Sequence, residues 1–196
     1  MDVFEGDYIR ADNDWEEVVW VWKRMDAPKG CRVEVIEGLV TVAPYSAVSH
    51  HRAVSAVHRR LYEMIPESWG VHQRLPMTVP SRLSLYMPDL VVVPDEAPWD
   101  EEGHFVSATD AKLVMEITSE PTARHGRTAK AAGYATAGVP LYLLVDALAP
   151  NGPLITLYGE PKGDVYRPLA TAKFGEPVRL PAPFDAVIDT SEFPAD

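Results

Sequence analysis

The sequence predicts one α/β domain in which helices flank a mixed β-sheet. Stretches with helical spacing of apolar residues alternate with short apolar runs rich in β-branched residues. The 196 residues, 46% of them hydrophobic, are enough for one sizeable core. The sequence has no internal repeat, low-complexity tract or linker. We therefore expect residues 1–29 to form an arm and a helix, and residues 30–196 to form a single domain.

The first helix is expected to begin near Trp15, after a loose arm at residues 1–11. Asp12-Asn13-Asp14 offers N-cap oxygens to this helix. Trp20 does not belong to the apolar face of this helix. Two interpretations are open: the helix packs on the core, or it forms an oligomer contact through Trp20. The apolar face comprises Trp15, Val18, Val19, Trp22 and Met25.

The remaining elements follow from the same periodicities. Glu37-Gly38 is typical of a hairpin turn. Acidic and turn-forming residues predict an exposed loop over 95–110. Pro121-Thr122 is expected to open a helix that Gly138 ends. The expected strands are 32–36, 39–43, 71–79, 88–93, 112–118, a central strand 141–146, and short strands near 154–158, 165–168 and 176–180; the expected helices are 47–65 and 123–137.

Composition narrows the functional classes. The net charge of −11 argues against binding nucleic acid by bulk attraction, although a metal-filled cleft can be locally positive on an acidic body. No apolar stretch approaches the ~20 residues that span a bilayer, so no membrane partner is expected. Cys31 is the single cysteine, and the N-terminus lacks a signal-peptide pattern. A cytoplasmic location is the default expectation.

Two acidic residues, Asp89 and Glu116, lie in hydrophobic strand-like runs. A buried carboxylate is costly unless it is paired or holds a cation. Mg²⁺ prefers oxygen ligands and needs only one or two protein carboxylates. Asp89 and Glu116 are therefore the candidate ligands of a divalent metal, Mg²⁺ or Mn²⁺, and such a site suggests phosphodiester chemistry.

Phosphodiester hydrolysis also needs a cationic group near the metal. Thr118 occupies the place two residues after Glu116 where a lysine would share the strand face, and Lys112 is too far back along the strand, at about 13 Å. Lys130, on the following helix, is the candidate that remains, with Tyr134 four residues later on the same helical face. The alternative for Lys130 is a solvated surface lysine.

Two further residues are supporting candidates. Glu34, in the first strand, is either another metal ligand or orienting group, or an exposed strand acid. His50, near the start of the long helix, either binds phosphate or orients a ligand, or is an ordinary polar residue at a helix start.

Taken in chain order, several motifs resemble the Uma-type family of restriction-endonuclease-like proteins in the PD-(D/E)XK nuclease superfamily. The resemblance covers roughly residues 30 to 190, and the ordered set is more specific than any one piece. The matching pieces are Glu34-Val-Ile-Glu-Gly38-Leu-Val, Pro44 with His50, Pro88-Asp89-Leu90, Val114-Met-Glu116-Ile-Thr-Ser119, and the run from Lys130 through Tyr134, Gly138 and Tyr142 to Asp146.

The resemblance implies a restriction-endonuclease-like core, a Mg²⁺ site, and a catalytic lysine moved from strand to helix. It carries over Asp89, Glu116 and Lys130 as the catalytic set. One departure is Gly126, since members of the family often place an aspartate four residues before the lysine. Arg124 and Arg127, which flank it, could instead contact phosphate.

Three functional hypotheses follow. The first is a Mg²⁺-dependent endonuclease that acts on DNA, expected to be a homodimer because cutting both strands of a duplex usually needs two sites. The second is a catalytically inactive nuclease-fold module for binding or assembly, favoured by the acidic charge and Gly126. The third is hydrolysis of another phosphate ester. The sequence contains no P-loop, zinc-ligand cluster or Ser-His-Asp pattern.

Overall fold

The computed structural model describes residues 14–44, 46–118, 126–191 and 193. Within them, the α-helices are α1 (Asp14–Arg24), α2 (Val48–Tyr62) and α3 (Ala131–Thr136), the last preceded by a π-helical turn at Gly126–Lys130. Two short 3-10 helices lie at Pro80–Arg82 and Ala108–Asp110. The strands are β1 (Arg32–Ile36), β2 (Leu39–Ala43), β3 (Trp69–His72), β4 (Met77–Val79), β5 (Ser84–Tyr86), β6 (Leu90–Pro94), β7 (Val106–Ser107), β8 (Leu113–Ile117), β9 (Leu141–Asp146), β10 (Leu154–Lys162), β11 (Val165–Lys173), β12 (Val178–Arg179) and β13 (Val187–Ile188).

Two mixed sheets carry the architecture. The larger has the order β11-β10-β9-β8-β6-β3, with β8 and β9 parallel and the other neighbours antiparallel. The smaller has the order β2-β1-β5-β4-β7, with only the β4–β7 pair parallel among its described strands. The predicted mixed α/β class is therefore confirmed. All six residues of β9 are buried between β8 and β10, as expected for a central strand.

The larger sheet separates two apolar clusters because successive side chains in a strand point to opposite faces. On one face, Leu113, Met115 and Ile117 of β8 pack with the apolar stripe of α2. On the other face, Val114 packs with Tyr134 of α3. Glu116 alternates with Met115 and Ile117, so it belongs to the face of Val114 and α3. The sheet geometry thus directs this acid toward the helix that follows β8.

The expected strand over 71–79 is wrong, because the structure divides it between the two sheets. β3 pairs with β6 in the larger sheet, and β4 pairs with β5 in the smaller. Between them Arg74 adopts a left-handed backbone with φ 56°, and Pro76 has no amide hydrogen for a ladder bond. The short strand β5, which sequence reasoning missed, contributes the buried Leu85 and Tyr86.

The exposed loop expected over 95–110 is wrong in part. Val106 and Ala108 are buried, and β7 extends the smaller sheet. The tail strands β10 and β11 are also longer than expected, while α2 is shorter. The expected arm at 1–11, the cap residues Asp12 and Asn13, and the helix opening at Pro121-Thr122 lie outside the described residues.

Helix α1 lies against the smaller sheet. The indole N–H of Trp22 donates to the carbonyl of Val33 at 3.0 Å, and the Trp22 ring meets Phe105 edge to face. No residue of α1 is fully buried. None of the helices in the described ranges is long and apolar enough to cross a bilayer.

Candidate active site

The predicted residues reach one buried pocket from separate elements. Glu34 lies on β1, Asp89 directly precedes β6, Glu116 lies on β8, and Lys130 ends the π-helical turn before α3. Their exposed fractions are 3% for Glu34, 2% for Asp89, 4% for Glu116 and 1% for Lys130. The alternatives of a solvated Lys130 and an exposed Glu34 are therefore wrong.

Lys130 joins two of the carboxylates. Its Nζ lies 2.5 Å from Oε1 of Glu116 and 2.7 Å from Oε1 of Glu34. The ammonium also lies 5.8 Å from the centre of the Tyr86 ring, within cation–π range. A lysine on the helix therefore supplies positive charge beside the strand glutamate, while the hydroxyl of Thr118, two residues after Glu116, donates to Asp146 at 2.9 Å.

Tyr134 fixes the same glutamate from one helical turn further on. Its hydroxyl donates to Oε1 of Glu116 at 2.8 Å. Lys130 and Tyr134 are four residues apart, so both side chains project from one face onto a single oxygen. The Tyr134 ring packs edge to face on Tyr86, with centroids 5.1 Å apart.

Asp89 is held by donors on both of its oxygens. Oδ2 accepts the backbone N–H of Ile117 at 2.7 Å, which ties the aspartate to the strand of Glu116. Oδ1 lies 3.0 Å from Nε2 of His50 and 2.9 Å from Nη1 of Arg32. His50, near the start of α2, is therefore more than an ordinary polar residue at a helix start.

Sequence reasoning did not include Arg32, which lies in the same pocket and is 7% exposed. Its Nη1 also donates to the carbonyl of Met87 at 3.3 Å, and its Nε lies 3.4 Å from Oε2 of Glu34. Arg32 and Glu34 are two apart on β1 and therefore share a face. That spacing is the signal from which Arg32 could have been found.

The electrostatics of the pocket follow from burial and mutual proximity. Burial raises the pKa of Glu116 to about 7; Lys130 opposes this rise, and Asp89 and Glu34 add to it. Burial alone would lower the pKa of Lys130, but Glu116 and Glu34 outweigh it and raise the pKa. Burial also works against ionised Asp89, yet His50, Arg32 and the Ile117 amide lower its pKa overall. Asp89 and Lys130 are therefore charged near neutral pH.

A second polar network anchors the segment that carries Lys130. Nε of Arg127 donates to Oδ2 of Asp146 at 2.7 Å, and Nη2 donates to Oδ1 at 2.6 Å. The same Nη2 donates to the carbonyl of Leu148 at 2.8 Å. Arg127 thus forms a bidentate pair with Asp146, and its expected contact with phosphate stays a prediction. Arg124 lies outside the described residues.

The donor set is compatible with a hard divalent cation. Asp89 and Glu116 bring carboxylates to one pocket, and Mg²⁺ needs only one or two of these besides water. Within the described ranges no three His, Cys, Asp or Glu side chains form a metal-binding group, so a fuller protein cage is not present there. Nδ1 of His50 is buried without a hydrogen-bond partner among the described residues, whereas Nε2 of the same ring contacts Asp89.

The fold is restriction-endonuclease-like. A similar solved structure, from Anabaena variabilis ATCC 29413, is described as a putative nuclease; the TM-score is 0.63 at 18% identity, over 83% of this chain and 88% of that one. The Uma2 family, described as "Putative restriction endonuclease", matches residues 22–191, and the chain belongs to this family. A search of curated proteins gives no match. Families of this kind generally use divalent metals.

Proposed function

We propose that this protein is a Mg²⁺- or Mn²⁺-dependent endonuclease that hydrolyses DNA phosphodiester bonds, with Asp89, Glu116 and Lys130 as its catalytic residues. The observation that carries the proposal is the 2.5 Å contact between Lys130 Nζ and Glu116 Oε1 in a buried pocket that also contains Asp89. This arrangement provides carboxylates for a divalent ion and a cation for a phosphoryl group.

Asp89 and Glu116 would hold the ion in this proposal. A divalent ion supplies Lewis-acid activation of water and neutralises charge on the phosphate. The chain itself orients the ligands: His50 and the Ile117 amide fix Asp89, and Tyr134 fixes Glu116. Because these partners are in place before substrate arrives, little reorganisation is needed on binding.

Lys130 would act on the reacting phosphate. Its pKa is raised by Glu116 and Glu34, so its ammonium stays charged and can donate a hydrogen bond to a phosphoryl oxygen. Oε1 of Glu34 accepts the Met87 amide at 2.6 Å and also lies 2.7 Å from the Lys130 ammonium. Glu34 is therefore proposed as a positioning residue.

The test is a metal-dependent cleavage assay on supercoiled, linear and single-stranded DNA and on RNA. The wild type is compared with Asp89→Asn, Glu116→Gln and Lys130→Met, with circular dichroism to check folding. We expect each variant to lose at least about 100-fold in rate. Lys112→Met, at the start of the strand of Glu116, is the matched control and should cleave normally. Wild-type rates in a folded Lys130→Met protein would exclude the assigned role.

A second candidate function is a nuclease-fold module that binds or assembles without catalysis. The net charge of −11 and Gly126, in place of the aspartate seen in related motifs, favour it. Calorimetric titration with Mn²⁺ discriminates the two. No binding by the wild type, and no change for Asp89→Ala, would favour the module over the enzyme.

We further propose that the chain divides into an arm and helix at residues 1–29 and a catalytic domain at residues 30–196. We also propose that the protein is a homodimer whose two copies contact each other through α1. The support is α1 itself: it has no fully buried residue, and its Trp20 stacks with the Arg24 guanidinium at 4.4 Å. Sedimentation of the wild type and of Trp20→Glu tests this contact. A monomer at high concentration for both would contradict it. A cytoplasmic location remains a prediction.

A further inference from the structure

Among the described residues, the candidate pocket contains five buried ionisable side chains of acids and bases. One carboxylate contacts two cations, whereas the other two contact one each. Three are carboxylates, from Glu34, Asp89 and Glu116, and two are permanent cations, from Arg32 and Lys130. Lys130 contacts Glu34 and Glu116, whereas Arg32 contacts Glu34 and Asp89. Each carboxylate thus has a cation from the chain itself. The positive charge beside Asp89 comes from Arg32, which the proposed catalytic set does not use.

Arg32 occupies an oxygen that a metal ion would need. Its Nη1 lies 2.9 Å from Oδ1 of Asp89, an oxygen that also lies 3.0 Å from Nε2 of His50, and the other oxygen of this aspartate accepts the Ile117 amide. A divalent ion on Asp89 would therefore lie close to the guanidinium. Two cations at one buried oxygen repel strongly, because solvent screening is weak at that depth. Metal and Arg32 are thus expected to compete for Asp89.

Arg32 has two further partners in the pocket besides Asp89. The Nε of Arg32 lies 3.4 Å from Oε2 of Glu34, and Nη1 lies 3.3 Å from the Met87 carbonyl. Both contacts involve atoms other than the Asp89 oxygens. A rotation of the guanidinium can therefore release Asp89 while Glu34 continues to balance the arginine charge.

We propose that Arg32 is an internal counter-cation that holds Asp89 when no metal is bound and releases it to a divalent cation, so that Arg32 sets the metal affinity of the pocket. This inference rests on the proposed metal site. It assigns Arg32 as a positioning residue that acts through Asp89. Removing its charge should tighten metal binding and make the stability of the protein more dependent on metal.

The experiment measures Mn²⁺ affinity by calorimetry, and the midpoint of thermal unfolding in EDTA and in Mn²⁺. It compares the wild type, Arg32→Met, and Arg32→Gln, which keeps a hydrogen-bond donor without the charge. Arg167→Met, which breaks an exposed ion pair with Glu160 on the outer strands, is the matched control. We expect both Arg32 variants to bind Mn²⁺ at least about tenfold more tightly than the wild type. They should also unfold at lower temperature in EDTA and recover with Mn²⁺.

Each outcome decides the matter. If the wild type binds Mn²⁺ and a folded Arg32 variant binds no better, the role of Arg32 is wrong and the metal site stands. If the wild type binds none but a variant does, Arg32 blocks Asp89 without releasing it, and the proposed release to a metal is wrong. If neither binds, both the metal site and the role of Arg32 are wrong. If Arg32→Met does not fold without metal but folds in Mn²⁺, this result supports the proposed role of Arg32. If it folds in neither condition, the Mn²⁺ affinity of Arg32→Gln decides whether the role is correct.

Discussion

Lys130 is a residue whose charge the surrounding fold requires. Replacing it by methionine leaves Glu34 and Glu116 buried without their shared cation. Breaking a buried pair in this way typically costs about 3–5 kcal/mol, so we expect a loss of that order in the free energy of unfolding. Urea unfolding of the metal-free protein measures it. Lys112→Met should change the same quantity by less than about 0.5 kcal/mol, and equal effects of the two substitutions would contradict the structural pairing.

Glu116 predicts a pH dependence with a definite sign. Burial raises its pKa in the folded state from the ordinary 4.5 to about 7, so between these values the native protein holds a proton that the unfolded chain has lost. The free energy of unfolding should therefore fall as pH rises through this window, by on the order of 3 kcal/mol. Urea unfolding of the metal-free protein at several pH values measures the slope. In Glu116→Gln the slope should flatten, and an unchanged slope would assign it to other groups.

The site residues divide into those that the sequence could predict and those it could not. Asp89 and Glu116 were predictable because acids inside apolar strands need a partner. Lys130 was predictable by elimination and by the family motifs. The Asp146–Arg127 pair was not, because it joins a strand end to a turn whose packing local periodicity does not determine. The catalytic roles of Asp89, Glu116 and Lys130 stay predictions.

At the scale of the element, the close approach of α3 to the smaller sheet determines where Lys130 lies. A Cβ on Gly133 would come within 2.2 Å of the Tyr86 hydroxyl and 2.6 Å of its ring. Gly133→Ala should therefore push α3 away from β5 and lower the unfolding free energy by about 1–3 kcal/mol. If the protein is the proposed nuclease, the same substitution should reduce cleavage. Thermal unfolding and the cleavage assay test this. Thr136→Ala, on the exposed side of α3, is the control. Wild-type stability and wild-type cleavage in Gly133→Ala would show that Tyr86 can move aside at little cost.

The elements predicted best were those with strong local signals. The β1–β2 hairpin and β9 have the predicted bounds, since a Glu-Gly turn and an unbroken apolar run each define their own limits. β4, β5 and β7 were missed or misjudged. They are only two or three residues long, and they form through pairings such as Met77 with Val106 that are distant in sequence.

At the scale of the whole molecule, α2 stands out electrostatically. Its sequence carries three arginines and no acid in a chain with a net charge of −11. Arg52 is exposed, and His50, two residues earlier, contacts Asp89. Residues two apart in a helix do not share a face, so Arg52 lies on the solvent side of α2 while His50 faces Asp89. Arg52 is therefore an exposed cation that a phosphate backbone outside the pocket could contact.

If the protein acts on DNA, the Arg52→Ala substitution should weaken binding by a similar factor for all sequences and reduce the salt slope by about 1. Fluorescence anisotropy with labelled duplex at several salt concentrations measures both. Arg167→Ala, on the outer strand β11, removes the same charge away from the pocket and should have little effect. Equal losses for the two arginines would indicate only a general charge effect.

The arrangement of strands across the molecule was predictable in class and not in detail. Alternating helical and strand-like periods indicated a mixed α/β fold, which the structure confirms. The division into two sheets was not visible, because it depends on where strands such as β3 and β4 separate. Since Arg74 and Pro76 mark that separation, its position can be explained once the pairing is known.

Strand β1 contributes both an acid and a base to the pocket, Glu34 and Arg32, two positions apart. Grafting the whole strand from a relative would thus leave the electrical balance around Lys130 intact, provided that both residues travel together. Exchanging only one of them would leave the cavity with a surplus of one sign. Chimaeras whose transplanted β1 carries an arginine and a glutamate at these two positions should accordingly be tolerated more readily than the corresponding single changes.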